Sequence, residues 1–329
     1  MTAPRQILEG QFYLVTRRTW NRTFFLRPGP EINRMFDYCL AEAAKKHGID
    51  LIAWCAMSNH YHAVIYDPDG RVPAFIERFH KMLAKVLSVH YRRFESIWSR
   101  DQTCLTRLVT MHDVFEKVVY VLCNPAAAHL VEDIAQYPGS SSWSRMGREA
   151  KAVQRPTVYF REDGRMPEKV ELKAVAPRGL RGESYSDWIG RVRKEVKKRQ
   201  AGFAEDRRAN KKKGRGADVL GPSRLLKTDP FGRPSTEAPR WRLRPHLACK
   251  DKERMKAERV RLKQFRVDHE KMRVRLRDGE PGVEFPEGTY RLRLLGLRCK
   301  TCSEAPRGRR RQPAVKKATS RRATKKKAA

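Results

Sequence analysis

An α+β fold is what this sequence predicts, on three observations. Strand-like and helix-like segments alternate through its first half, turn residues punctuate them, and apolar character gives way to charge beyond about residue 150. GQFYLVTRRT, rich in aromatic and β-branched residues, reads as a first strand. Pro28, Gly29 and Pro30 make a turn. EINRMFDYCLAEAAKKHG then reads as an amphipathic helix, with Ile32, Phe36, Leu40 and Ala43 or Ala44 inward and Gly48 closing it. IDLIAWCAM and YHAVIY are two strands separated by a turn or bulge at Ser58-Asn59. VPAFIERFHKMLAKVLSVHYRRF is a long helix with Phe75, Phe79, Met82, Val86 and Val89 as its core stripe and Arg78, Lys81, Lys85, Arg92 and Arg93 on its outer face. TCLTRLVT is a fourth strand. HDVFEKVVYVLCN is a third helix, which Pro125 stops or just follows. The order β-α-β-β-α-β-α is that of a split βαβ, ferredoxin-like sandwich: an antiparallel sheet with helices on one face, plus one extra helix.

Residues 1–147 have globular composition and are expected to form one domain. Residues 148–306 read as a basic extension with helical segments, and 307–329, Lys/Arg-rich and free of acids, as a disordered tail. Within the extension, SDWIGRVRKEVKKRQ predicts a short helix and residues 245–277 a long charged helix, continuous or broken. VEFPEGTYRLRLLG predicts a hairpin or a segment packing back on the core.

The chain has 329 residues and a formal net charge of +35. Such a charge predicts a polyanionic partner, with nucleic acid the default and an anionic membrane surface the rival. No run of about 18 apolar residues exists, so no transmembrane helix is expected. The N-terminus lacks a signal-peptide layout, which predicts a cytoplasmic protein. Seven cysteines at irregular spacing fit reduced thiols.

Two motifs carry chemistry. His60 and His62 lie two apart on a strand and so share a face, with their Cα atoms roughly 6–7 Å apart, close enough for two imidazoles to converge on one ion. Two His ligands leave room for oxygen ligands and a phosphate, which suits Mg²⁺ or Mn²⁺. Tyr120 and Asn124, four apart, share one face of the third helix. A phenol can attack phosphorus and later leave as phenolate, with a cation offsetting the charge. Asn124 offers an amide oxygen to that cation, or a helix C-cap before Pro125. No carboxylate stands out as a general base.

SNHYHAVI resembles the MPNHVH-type signature, and YVLCNPAAAHLVEDIAQYPGSSSW the YIxxNP…AGLV…YPWSS-type signature, of the single-tyrosine HUH transposases, specifically their REP-associated tyrosine transposase branch. The resemblance spans roughly residues 8–147. It implies that His60, His62 and Asn124 hold the divalent cation and that Tyr120 is the nucleophile. It also implies a bacterial, nucleoid-associated enzyme that cuts and rejoins single-stranded or hairpin DNA through a 5′-phosphotyrosine, as a monomer or a homodimer. Three departures leave open a retired copy that binds structured single-stranded DNA or RNA. Ser58 stands for proline, Ala127-Ala128-His129 for the usual xAG, and Gly139 for tryptophan.

Arg92, Arg93, Lys211, Lys212, Lys213 and Arg215 are candidate phosphate contacts. Tyr91, Trp98, Trp143 and Trp241 either stack on unpaired bases or pack in the core. Cys299-x-x-Cys302, with His246 and Cys249 upstream, has the composition of a zinc site at a spacing that fits none, and two free thiols is the alternative.

Overall fold

The computed structural model describes residues 4–213, 218–235 and 245–300. Its first half runs β1 (Gln11–Arg18), α1 (Pro30–His47), β2 (Asp50–Met57), β3 (His60–Asp67), α2 (Val72–His90), β4 (Cys104–Leu108) and α3 (Met111–Ala127), the order the sequence predicts. The remainder adds β5 (Lys151–Gln154), β6 (Lys169–Leu172), α4 (Tyr185–Lys212), α5 (Pro222–Lys227), β7 (Leu247–Ala248), α6 (Lys252–Arg277) and α7 (Tyr290–Leu294).

The main sheet has the order β2-β3-β1-β4-β7. Its first four strands pair antiparallel, whereas β7 joins β4 in parallel, so the sheet is mixed and not purely antiparallel as expected. The strand comes from the extension. Arg107 and Val109 donate to the carbonyls of His246 and Ala248, which satisfies an edge that would otherwise offer unpaired backbone groups. The other edge is covered too: Ala56 N–H donates to Ser140 O and Ser142 N–H to Trp54 O.

Helices flank both faces of the sheet, which corrects the one-face expectation. Tyr61 and His62 are neighbours on β3 and so point to opposite sides. The Tyr61 ring packs on Phe36 of α1 and Phe79 of α2, and its hydroxyl meets His80 Nε2 at 2.7 Å. The His62 ring packs on Tyr120 of α3. α3 buries Val114, Val118, Val121 and Leu122, and α4, which buries Trp188, Ile189, Val192 and Val196, sits against it, with Arg191 over the Phe115 ring and Arg199 paired with Glu116.

α1 ends as the sequence indicates: Gly48 takes a left-handed φ of 67° and its N–H caps Ala44 O. The inward residues expected of α1 are all buried, and so are those of α2 except Val89, which is exposed in the last turn. Ser58-Asn59 is a two-residue turn, and the register shift of this hairpin lies between Leu51 and Ala53. α3 does not stop at Pro125 but runs on to Ala127. The ring removes the N–H owed to Val121 O, and Asn124 Nδ2 stands in, 3.5 Å from that oxygen and 2.8 Å from Tyr120 O.

The extension is more ordered than its composition suggests. β5 and β6 form a hairpin whose linking segment packs on α1, with Phe160 against Tyr38 at 5.4 Å and the Tyr38 hydroxyl donating to Pro167 O at 2.5 Å. The short helix expected in SDWIGRVRKEVKKRQ is the start of a helix of 28 residues. The charged helix is unbroken over Lys252–Arg277. After it, Val283 and Phe285 are buried, and Gly288 O accepts from Ile7 N–H, so this segment packs back on the core. The tail expected to be disordered lies outside the described residues.

Candidate active site

Strand pairing builds one face of the site. In register, Arg18 of β1 stands opposite His60 of β3, Thr16 opposite His62, and Thr16 again opposite Cys104 of β4. Cross-strand partners share a face, so Thr16, Arg18, His60, His62 and Cys104 all point toward α3. The two imidazoles meet edge to face, with centroids 4.9 Å apart. The Tyr120 ring stands edge-on to His62 at 5.3 Å, and Lys117 Nζ lies 5.4 Å from the Tyr120 ring centre. Of the residues chosen from sequence, His60, His62 and Tyr120 thus form a chain of ring contacts between β3 and α3, and Asn124 lies one turn beyond Tyr120 with its side chain folded onto the carbonyls of its own helix. Tyr120 keeps 42% of its surface in solvent, enough to reach a substrate, whereas His62 keeps 6%.

Hydrogen bonds fix the site's orientation. His60 Nδ1 lies 2.7 Å from Asn59 Oδ1, an acceptor, so Nδ1 carries the proton and Nε2 keeps its lone pair. His62 Nδ1 lies 2.7 Å from Thr16 Oγ1. Engaging Nδ1 with an outer oxygen and leaving Nε2 free is how metal-ligating histidines are commonly held. The backbone carbonyls of Tyr120 and Val121 only accept, so the Asn124 nitrogen must face them and Oδ1 is left for other partners. These donors suit a divalent cation with oxygen co-ligands. Among the described residues no group of three or more His, Cys, Asp or Glu side chains is placed to hold a metal, so a closed site of the structural zinc kind is absent there.

The local field is positive. Burial, with Arg18 and Arg22, pushes His60 down to about 4. Burial, with His60, Arg18 and Lys117, pushes His62 well below the ordinary imidazole range. Both rings are therefore neutral near pH 7, the form that can ligate. Burial raises the Tyr120 phenol, while a hydrogen bond with Asn124 and the charge of Arg18 pull it back. None of these groups is a carboxylate.

The remaining candidates scatter. Arg92 is exposed, with a left-handed φ of 49°. Arg93 is engaged: its guanidinium lies 5.1 Å from the centres of both Trp20 and Phe25 and pairs with Glu95. Lys211 pairs with Asp218 at 2.6 Å, while Lys212 and Lys213 are exposed at the end of α4. Arg215, Trp241 and Cys302 lie outside the described residues. Trp98 is buried and donates its indole N–H to His80 O, Tyr91 packs on Phe25 and Phe231, and Trp143 is partly covered by Arg193. Those three rings serve packing. Cys299 lies near the carbonyls of Thr289 and Leu297, and all six cysteines described are free thiols.

Sequence reasoning missed Thr16, Arg18 and Asn59. Thr16 and Arg18 alternate in TRR, the signal that they share a face, but only the β1–β3 register puts that face beside the histidines. Gly139, where the resembling signature has tryptophan, has a steric reason. A Cβ there would fall 2.5 Å from the Tyr137 ring, which is buried and pinned by its hydroxyl to Ala56 O.

No family model and no curated protein matches the chain. Among solved structures it is similar to one described as a REP-associated tyrosine transposase bound to a REP hairpin, at 16% identity over 49% of this chain and 98% of that one, with a TM-score of 0.38. It is also similar to a putative transposase from Deinococcus radiodurans R1, at 18% identity over 37% of this chain and 95% of that one, with a TM-score of 0.27. At these scores neither likeness carries an argument about this chain. Among the described residues no helix is long and apolar enough to cross a membrane.

Proposed function

We propose that this chain is a metal-dependent tyrosine nuclease and strand transferase acting on single-stranded or hairpin DNA, built on a ferredoxin-like HUH domain over residues 1–147 with a basic DNA-binding extension. The observation that carries this reading is the placement of a solvent-accessible phenol against a pair of neutral imidazoles with Arg18 and Lys117 alongside. Tyr120 Oη attacks the phosphorus of a phosphodiester. The P–O3′ bond breaks, the strand end leaves as a 3′-hydroxyl, and the new 5′ end stays on the enzyme as a phosphotyrosine. A second 3′-hydroxyl then attacks the same phosphorus, Tyr120 departs, and a phosphodiester is restored.

His60, His62 and the amide oxygen of Asn124 would hold Mg²⁺ or Mn²⁺, whose chemistry when bound is Lewis-acid polarisation of the scissile phosphate. Thr16 and Asn59 keep the two rings turned for that duty. Arg18 faces the phosphate and favours the phenolate over the phenol, against the burial that opposes it. The overall charge of +35 supplies salt-dependent affinity for the backbone without reading sequence.

The test is a denaturing gel of the full chain with labelled hairpin oligonucleotides and Mn²⁺. An SDS-resistant adduct that disappears in Tyr120→Phe, while DNA binding persists, supports the reading. Binding with no adduct from the native chain would reduce the protein to a retired copy that only holds structured nucleic acid.

A further inference from the structure

β1 leaves the site through Arg18 and runs straight into an exposed aromatic and basic surface. Thr19 N–H donates to Asn59 O at 2.9 Å, which ties the segment to the residue orienting His60. Trp20 follows, opening a short 3-10 turn, Trp20–Arg22, in which Asn21 and Arg22 take left-handed φ values of 47° and 57°. Arg93 covers one side of the Trp20 indole, yet the ring keeps 37% of its surface in solvent. Phe94, the next residue, buries nothing, with a relative exposure of 103%. Phe231 touches Phe25 and Tyr91 edge-on and is 54% exposed.

Isolated exposed apolar side chains are ordinary. Here, however, an exposed indole, a guanidinium beside it and a wholly solvated phenyl lie at the end of the sheet that carries His60 and His62. Flat rings beside cations fit a nucleobase, which has a π-face to stack and a phosphate to neutralise. A base inside a duplex already has both faces stacked, so only an unpaired strand can use such a surface.

We propose that Trp20 and Phe94, backed by Arg93 and Arg22, form a stacking platform for unpaired bases of a single DNA strand next to the bond presented to Tyr120. The inference deepens the nuclease reading and rests on it for where the strand leads, but the binding it invokes can be measured without cleavage. Arg93 is a positioning residue, holding the indole flat through its stack and its pair with Glu95.

The experiment measures fluorescence anisotropy of a labelled single strand and of the matching duplex, with the full chain in the Tyr120→Phe background so that no covalent product forms. Losing one stacked base weakens binding roughly 5- to 150-fold. The variant Trp20→Ala/Phe94→Ala is therefore expected to lose at least about fivefold in single-strand affinity while duplex affinity stays within about twofold. Trp20→Phe restores most of the loss. Both side chains are exposed, and an unchanged thermal midpoint confirms that the fold survives. Equal losses for strand and duplex, or no loss for either, overturns the platform. Failure of the two proposals is distinguishable. A native chain that forms adducts while the alanine variant binds normally sinks the platform alone. A native chain that never forms an adduct, while the alanine variant selectively loses single strands, sinks the nuclease alone.

Discussion

Thr16→Val is the sharpest perturbation of the site that leaves its ligands in place. Valine matches threonine in shape, so the change removes one oxygen, the one 2.7 Å from His62 Nδ1. His62 is only 6% exposed, and its Nδ1 then has no partner from β1. An unsatisfied buried polar atom costs about 1–3 kcal/mol of stability. Loss of the outer partner of a ligating histidine lowers metal affinity about 10- to 100-fold. The two effects separate in urea denaturation with and without Mn²⁺. At a concentration 100 times the native dissociation constant, binding stabilises the native chain by about 2.7 kcal/mol. For a site about 30-fold weaker, the same concentration yields about 0.9 kcal/mol. The variant is therefore expected to lose about 1–3 kcal/mol without metal and roughly a further 2 kcal/mol with it. Direct Mn²⁺ titration by electron paramagnetic resonance checks the affinity. Equal stabilisation of variant and native chain by Mn²⁺ would refute the role assigned to Thr16. No stabilisation of either would refute the metal site.

Three further outcomes are expected. His80, buried between Tyr61 and Trp98, is pushed down to about 3 by burial and by Arg17. The unfolded chain therefore takes up a proton there first, and stability falls as pH drops below 6.5. By pH 4.5 His80 alone removes roughly 2–3 kcal/mol. Urea midpoints should show a steeper acid loss in the native chain than in His80→Gln, and parallel curves would contradict this. Gly139→Ala drives a methyl group into the Tyr137 ring and is expected to cost about 1–3 kcal/mol, read as a lower thermal midpoint. Arg18→Gln is expected to slow adduct formation about 10²-fold or more with little loss of DNA binding, because a preorganised charge at the phosphate acts mainly on the transition state. Equal adduct rates would remove Arg18 from the site.

How much of this was legible in the sequence depends on the range of the interaction. α1, α2 and the β2–β3 hairpin follow from periodicity and local punctuation such as Gly48, so they could be read directly. α3's continuation through Pro125 could not, because it depends on Asn124 lending its side chain to Val121 O. The short strands β5, β6 and β7 carry too few apolar positions to announce themselves and exist through packing on α1 and on the β4 edge. The meeting of the His62 and Tyr120 rings was expected from the resemblance of two local motifs to one pair of signatures, not from any interaction readable along the chain. Arg18 and Thr16 became visible only through the β1–β3 register, which no stretch of sequence states. Trp98 shows the same limit: an aromatic beside basic residues reads equally as a base-stacker or as core, and only tertiary packing decides, burying Trp98 and leaving Trp20 outside.

The most direct measurement is mass spectrometry of the tryptic peptide that contains Tyr120 after the full chain has reacted with a hairpin oligonucleotide in Mn²⁺ and the DNA has been digested. The account requires a nucleotide phosphate on the Tyr120 oxygen, absent when His60 or His62 is replaced by alanine. A covalent nucleotide on any other residue, or an unmodified Tyr120 peptide under conditions where the strand is cut, would contradict it.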